Sequence, residues 1–229
     1  MSNFRGFPKD TLKFLAELAD NNSREWFAVN KERYEASFVA PSLALIESLK
    51  KPLEKIAPLL RVEAKKMGGS LMRIYKDTRF SNDKTPYKTN IGIQFRHQSE
   101  NDVHGPGIYI HIANDECFVG AGLWKPASEA LFKIRNTIVD SPQGWRKAKG
   151  TKAFTAFYSL YDDRLKSAPR GFPKDHPQIE DLRLRSFLGS APLTRSQVQS
   201  DQLVDLIVAR VRAASPLMAY LCEAIELPY

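Results

Sequence analysis

Apolar side chains recur at helical spacing through the first quarter of the chain. In residues 7–20 they fall on one face, and a proline near the start of this segment favours the first turn of a helix. Asn22 followed by Glu25 has the spacing of a capping box and predicts the start of a second helix. A third helix is predicted over residues 41–60. We therefore expect the region 7–60 to be helical.

In the middle of the chain, apolar residues recur at every second position instead of at helical spacing. Alternating apolar and polar positions predict strands over residues 70–75, 89–96 and 107–113, and residues 116–124 are predicted as a fourth strand with two glycines inside it. Short linkers join the last three, which predicts an antiparallel meander within a sheet-rich region, 70–124. The turn of the first hairpin is expected near residues 102–104.

Helical spacing returns after Pro126, so the region 126–225 is predicted to be mainly helical. Within it, residues 179–188 have the pattern of a short helix followed by an extended segment. The last part, residues 196–225, predicts two helices with a break near Pro216, because proline lacks the N–H that a helix interior needs.

Helices on both sides of a run of strands predict an α+β fold rather than alternating βαβ units. No segment has the composition of an interdomain linker, and 229 residues can bury one full core. We therefore expect residues 1–229 to form a single domain, mainly an antiparallel sheet packed by N- and C-terminal helices.

Composition and charge narrow the class of protein. The chain is 43% hydrophobic and 26% charged, which is typical of a globular protein, and it has no apolar run long enough to span a membrane. The first residues lack a signal-peptide core, and Cys117 and Cys222 stand alone, so we expect a cytoplasmic protein. The formal net charge of +8 favours anionic partners.

The most informative segment is the charged stretch at residues 73–90. It crowds five cations and two carboxylates, with interleaved hydroxyl side chains, between two predicted strands. The cations are Arg73, Lys76, Arg79, Lys84 and Lys88, and the acids are Asp77 and Asp83. Arginine presents a planar fork to a pair of oxygens and lysine a mobile point charge, so the stretch predicts a loop that binds an anion.

The two-residue period also predicts a polar sheet face beside this loop. If the isoleucines of the meander face the core, Tyr109 and His111 lie on the opposite face together with Arg73 and Tyr75. The candidate ligand-binding residues are Arg73, Tyr75, Arg79, Ser81, Lys84, Tyr87, Lys88, Tyr109 and His111.

Two further patterns each have two interpretations. His97 and His111 are expected opposite each other in the first hairpin and could begin a metal site, but no third ligand has suitable spacing, so neither a metal nor a cofactor is predicted. Gly120 and Gly122, between a strand and a helix, fit either a phosphate cradle or the close approach of a neighbouring backbone.

The stretch 73–90 resembles the signature of a bacterial and fungal family of cytoplasmic proteins known only as a domain of unknown function. Further likeness lies in residues 14–18, 21–27, 107–111, 120–124 and 165–172, and so extends over nearly the whole chain. Lys76 stands where the resemblance implies arginine, and it keeps the charge without the planar fork. The resemblance implies one domain and no established activity, cofactor or catalytic residue.

Three hypotheses of function follow. The first is the binding of an anionic ligand, either a phosphorylated or carboxylate small molecule or a nucleic-acid backbone, although the chain has no recognised nucleic-acid-binding signature. The second is an enzyme in which His111 or Tyr109 acts as acid or base beside the same cations. In the third, Asp77 and Asp83 neutralise the arginines and Pro86-Tyr87 locks the loop, so that the stretch is a structural clasp and the protein is an interaction module.

Overall fold

The chain folds as α+β, as the hydrophobic pattern predicts. A computed structural model describes residues 4–79, 81–99 and 104–229. Its helices are α1 (Lys9–Asp20), α2 (Arg24–Val29), α3 (Lys31–Tyr34), a π-helix (Glu35–Val39), α4 (Ala40–Glu54), α5 (Ser128–Asp140), α6 (Pro142–Lys149), α7 (Lys152–Phe157), α8 (Ile179–Leu182), α9 (Arg195–Val198) and α10 (Leu203–Ala224). Its strands are β1 (Asn90–Arg96), β2 (Gly107–Ala113), β3 (Cys117–Leu123), β4 (Ser159–Leu160) and β5 (Phe187–Pro192).

The strands form a five-stranded antiparallel sheet in the order β1-β2-β3-β5-β4. The meander β1–β3 is the one that the alternating pattern predicts. Its isoleucines are fully buried, and the helices α1, α4 and α10, from both ends of the chain, pack against these strands. On the other face, His111 lies opposite Gly92 and Tyr109 lies opposite Gln94, and both side chains are partly exposed.

The region 126–225, predicted to be mainly helical, also contains strands β4 and β5, and β5 begins at the end of the extended segment predicted up to residue 188. Strand β5 pairs with β3, which lies far earlier in the chain, and its alternation is carried by Phe187, Gly189 and Ala191. Because two of these three residues are small, the local signal for a strand is weak, and the long-range pairing determines the structure. Gly122 faces this neighbour with φ of +136°, and a Cβ there would lie 2.1 Å from the Phe187 carbonyl oxygen. The close approach of a backbone therefore accounts for this glycine.

Residues 70–75 do not form the predicted strand. They run beside β1 as an extended segment that makes isolated bridges, Leu71 with Ile93 and Tyr75 with Tyr87. The segment bends at Ile74, and Ser70 and Leu71 are both buried, so burial does not alternate at its start. Its backbone still covers the edge of β1, since Met72 N–H donates to the Gly92 carbonyl at 2.9 Å.

Helix α10 is continuous through Pro216, so the predicted break is wrong. Val211, Leu217 and Leu221 are fully buried on both sides of the proline. The packing of both halves against the core outweighs the loss of one helical hydrogen bond. The third predicted helix is α4, which ends at Glu54 rather than near residue 60.

Candidate functional site

The charged loop, residues 77–85 and described except for Phe80, is closed by a short antiparallel neck. Lys76 N–H donates to the Pro86 carbonyl at 2.9 Å, and Lys88 N–H donates to the Ile74 carbonyl at 2.7 Å. Between these bonds, Tyr75 and Tyr87 form an isolated bridge. The neck fixes the two ends of the loop, so the side chains beside it have defined positions.

Two aspartates organise the interior of the loop. Asp77 accepts hydrogen bonds from Arg79 Nε at 2.9 Å and from an Arg79 terminal nitrogen at 2.7 Å, and this guanidinium lowers the pKa of Asp77 to about 2. Asp83 accepts from Lys76 Nζ at 2.6 Å and from the Thr85 hydroxyl and backbone N–H. Lys76 is the first cause that holds the pKa of Asp83 well below its usual range, followed by the Thr85 donors. The clasp hypothesis expects an arginine beside each acid, which holds for Asp77, whereas the partner of Asp83 is Lys76.

Asn22 ties the end of the loop to the start of α2. Its Nδ2 donates to the Tyr87 carbonyl at 2.9 Å, and its Oδ1 accepts from Tyr87 N–H at 3.0 Å. The predicted capping role of Asn22 is therefore wrong. Ser23 caps α2 instead, with its Oγ accepting from Trp26 N–H at 3.2 Å. The side-chain amide of Asn22 thus makes the two hydrogen bonds that a neighbouring strand would make with Tyr87, although the two residues are 65 positions apart in the sequence.

An aromatic column stands beside this anchor. The Tyr87 ring is buried and stacks on Phe27 with ring centroids 4.1 Å apart. The Tyr75 ring contacts Tyr87 with centroids 5.4 Å apart and the ring planes tilted by 45°, and it is itself 55% exposed. The column therefore runs from the core below α2 to the surface.

A cleft of about 740 Å³ lies between the start of α2 and the charged loop. It is lined by Asn22, Ser23, Arg24, Tyr75, Lys76, Thr78, Lys84, Pro86 and Tyr87. Every charged side chain in this lining is a cation, namely Arg24, Lys76 and Lys84. The cleft thus has the size and the charge of a site for a small anion.

The three cations differ in how far they are neutralised. Lys76 is paired with Asp83. Arg24 is exposed and makes no ion pair within the described part of the chain. Lys84 is also exposed, and its Nζ donates to the Thr78 carbonyl at 3.0 Å. An ammonium has three donors, so Lys84 keeps two for a ligand.

A second polar cluster lies on the open sheet face. Asn90 Nδ2 donates to Tyr109 Oη at 3.3 Å, and Tyr109 Oη lies 3.2 Å from His111 Nδ1. The His111 ring stacks on Phe118 with centroids 4.8 Å apart, and its Nε2 lies 4.0 Å from a Glu116 carboxylate oxygen. Burial lowers the pKa of His111 and raises the pKa of Tyr109, so neutral forms of both are favoured near pH 7.

The predicted site residues therefore fall into three places. Tyr75, Lys84 and Tyr87 line the cleft, and Tyr109 and His111 lie on the sheet face, where they meet Asn90. The others belong to the loop or to its neck: Arg79, Ser81, Arg73 and Lys88.

Each of these four residues has its own surroundings. Arg79 pairs with Asp77, and Ser81 Oγ accepts from Asp83 N–H at 3.1 Å. Arg73 is exposed. Burial, with a smaller contribution from Arg73, lowers the pKa of the partly buried Lys88. None of the four lines the cleft.

Asn22, Ser23 and Arg24 line the cleft but are not among the predicted site residues. Their capping pattern was a sufficient local explanation for the polar residues at the start of α2. No pattern in the sequence connects them with the loop, because the contact between Asn22 and Tyr87 is made only in the folded chain.

The predicted pairing of His97 with His111 is wrong. His111 pairs with Gly92, while His97 is 1% exposed and its Nε2 lies 3.0 Å from the Pro228 carbonyl oxygen. Of the predicted hairpin turn, residues 102 and 103 lie outside the described residues. In the described ranges, no group of three or more histidine, cysteine, aspartate or glutamate side chains is placed to hold a metal ion.

Comparison with known proteins gives one result. The model of a family described as "conserved hypothetical protein (DUF2461)" matches residues 10–220. Searches of curated proteins and of solved structures found no match. Within the described residues, none of the helices combines the length and the apolar character needed to cross a membrane.

Proposed function

The chain belongs to the DUF2461 family of conserved hypothetical proteins, and we propose that it binds a phosphate- or carboxylate-bearing ligand in the cleft between α2 and the charged loop. The family description names no activity, so the proposal rests on geometry. The observation that carries it is the charge of the lining: three cations and no carboxylate, with Arg24 and Lys84 outside any ion pair among the described residues.

The two cations suit different parts of such a ligand. Arg24 presents a planar fork that can hold two oxygens of one phosphate or carboxylate, and Lys84 adds a mobile charge with two remaining donors. Lys76 is neutralised by Asp83 and serves mainly to hold the loop. The clasp and the ligand site are then parts of one arrangement, in which the aspartates shape the loop and the other cations bind.

Thermal unfolding with a panel of anions tests this proposal. We expect phosphate, pyrophosphate or citrate to raise the Tm of the wild type by roughly 5–10 °C at about 100 times its Kd. Arg24→Ala and Lys84→Ala should lose most of this shift and change the Tm without ligand very little, because both side chains are exposed. Matched controls are Lys50→Ala and Arg212→Ala, which remove exposed cations from outside the cleft.

Two outcomes would contradict the proposal. An equal shift in all four variants would indicate general attraction of anions to a chain of net charge +8. No shift in the wild type, together with strong destabilisation by Lys84→Ala, would leave the clasp as the only role of the loop.

A second candidate function is acid–base catalysis on the sheet face. It is favoured by the hydrogen-bonded chain from Asn90 through Tyr109 to His111, in which the phenol can donate to Nδ1 of a neutral imidazole. A crystallographic screen with small polar molecules tests it. A molecule within hydrogen-bond reach of His111 Nε2 would support this candidate, whereas an unliganded sheet face beside an occupied cleft would contradict it.

A further inference from the structure

The cleft carries an exposed aromatic ring next to its cations. Tyr75 is 55% exposed and lines the same cleft as Arg24 and Lys84. The ring contacts Tyr87 at 5.4 Å with a tilt of 45°, and Tyr87 stacks on Phe27. One side of the Tyr75 ring is thus supported from the core, and the exposed part is available to a planar ligand.

The position of Tyr75 is fixed by the backbone on both sides. The neck bonds from Lys76 to Pro86 and from Lys88 to Ile74 flank the bridge between Tyr75 and Tyr87. Stacking a ligand on a ring held in this way costs less ordering entropy than stacking on a ring in a mobile loop.

Exposure alone does not distinguish Tyr75 from other aromatic residues. Trp124, Phe132 and Tyr161 are also more than a third exposed, as single surface aromatics often are. Among the exposed aromatics of the described residues, however, Tyr75 alone lines the cationic cleft. The combination of a supported ring with two cations is what indicates the class of ligand.

We propose that the anionic ligand of the cleft is a nucleoside phosphate, with its base stacked on Tyr75 and its phosphate held by Arg24 and Lys84. This inference rests on the proposed function and adds the aromatic half of the ligand. The volume of about 740 Å³ suits one small molecule. A nucleic-acid strand would need several successive stacking platforms, and the described lining offers one exposed ring.

Calorimetric titration of the wild type with ADP, inorganic pyrophosphate and adenosine tests the inference. ADP should bind roughly tenfold more tightly than pyrophosphate, because base stacking on an aromatic side chain adds to the phosphate contacts. Tyr75→Leu should bring the affinity for ADP down to that for pyrophosphate and leave pyrophosphate binding unchanged. Tyr75→Phe should retain the difference, and Tyr161→Leu, which removes an exposed ring elsewhere, should behave as the wild type.

The titrations distinguish a failure of this inference from a failure of the proposed function. Equal binding of ADP and pyrophosphate by the wild type would overturn the inference and leave the anion site intact. Absence of binding by both would overturn the proposed function as well. A single-stranded oligonucleotide of ten residues that binds more tightly than ADP would replace the nucleoside phosphate with a nucleic-acid strand. The comparison of ligands on the wild type needs no variant, so the result does not depend on the folding of Tyr75→Leu.

Discussion

At the residue scale, the charged side chains of the loop have two separate roles. Asp77 and Asp83 are each bound by a cation of the loop or its neck, Arg79 and Lys76 respectively. These acids are exposed, so salt screens their ion pairs, and their effect is local order rather than global stability. Lys84, in contrast, donates to a backbone carbonyl and keeps its charge available.

This division makes a prediction about pH. The pKa of Asp77 is about 2 in the folded chain against an ordinary value of 3.8, so the folded state binds fewer protons between these values. The contribution of the ion pair is therefore complete above about pH 4 and is lost as the pH falls through about 2. Carbon-13 NMR of the Asp77 carboxyl should show this low titration directly.

The Arg79→Ala variant is the control for that titration. It should raise the pKa of Asp77 part of the way to its ordinary value, because the backbone N–H of residue 79 still donates to the carboxylate. An unchanged titration in the variant would show that the guanidinium does not hold Asp77.

At the element scale, the decisive contact joins the start of α2 to the residue after the loop. Asn22 satisfies both backbone groups of Tyr87, which is 4% exposed. We expect Asn22→Ala to lower the free energy of unfolding by about 1–3 kcal/mol, because it leaves buried polar groups without partners. Urea denaturation measures the change. Asn82→Ala, which removes an exposed amide without a hydrogen bond in the described residues, should have almost no effect, and equal effects of the two variants would contradict this account.

The elements differ in how well the sequence predicts them. Strands β1 and β2 follow from a two-residue period, and β3 follows from its short connection to β2. The continuity of α10 through Pro216 does not follow, because it depends on packing against the core on both sides of the proline. Strand β5 is predicted only as the end of an extended segment, because its pairing with β3 spans a long stretch of chain.

The candidate site, too, can be predicted only where local sequence patterns indicate it. The charged stretch contains many polar and few apolar residues, and this density is enough to predict Tyr75, Lys84 and Tyr87 as site residues. Arg24 is not predicted, because it lies in an ordinary helix start and meets the loop only through tertiary contacts. Local pattern identifies one wall of the cleft, and the fold supplies the other.

At the scale of the whole molecule, the net charge of +8 attracts anions to any part of the surface. Weak binding of an anion somewhere on the protein would therefore say little about the cleft. What distinguishes a built site from general attraction is location: a ligand held by Arg24 and Lys84 together, beside Tyr75. The position at which an anion binds therefore decides whether the cleft is a ligand site.

The most direct measurement is an anomalous difference map from crystals soaked in tungstate. We expect a peak in the cleft with oxygens about 3 Å from both the Arg24 guanidinium and Lys84 Nζ, and no such peak in the double variant Arg24→Ala/Lys84→Ala. Tungstate bound at other surface cations with the cleft unoccupied, or an unchanged peak in the double variant, would contradict this expectation.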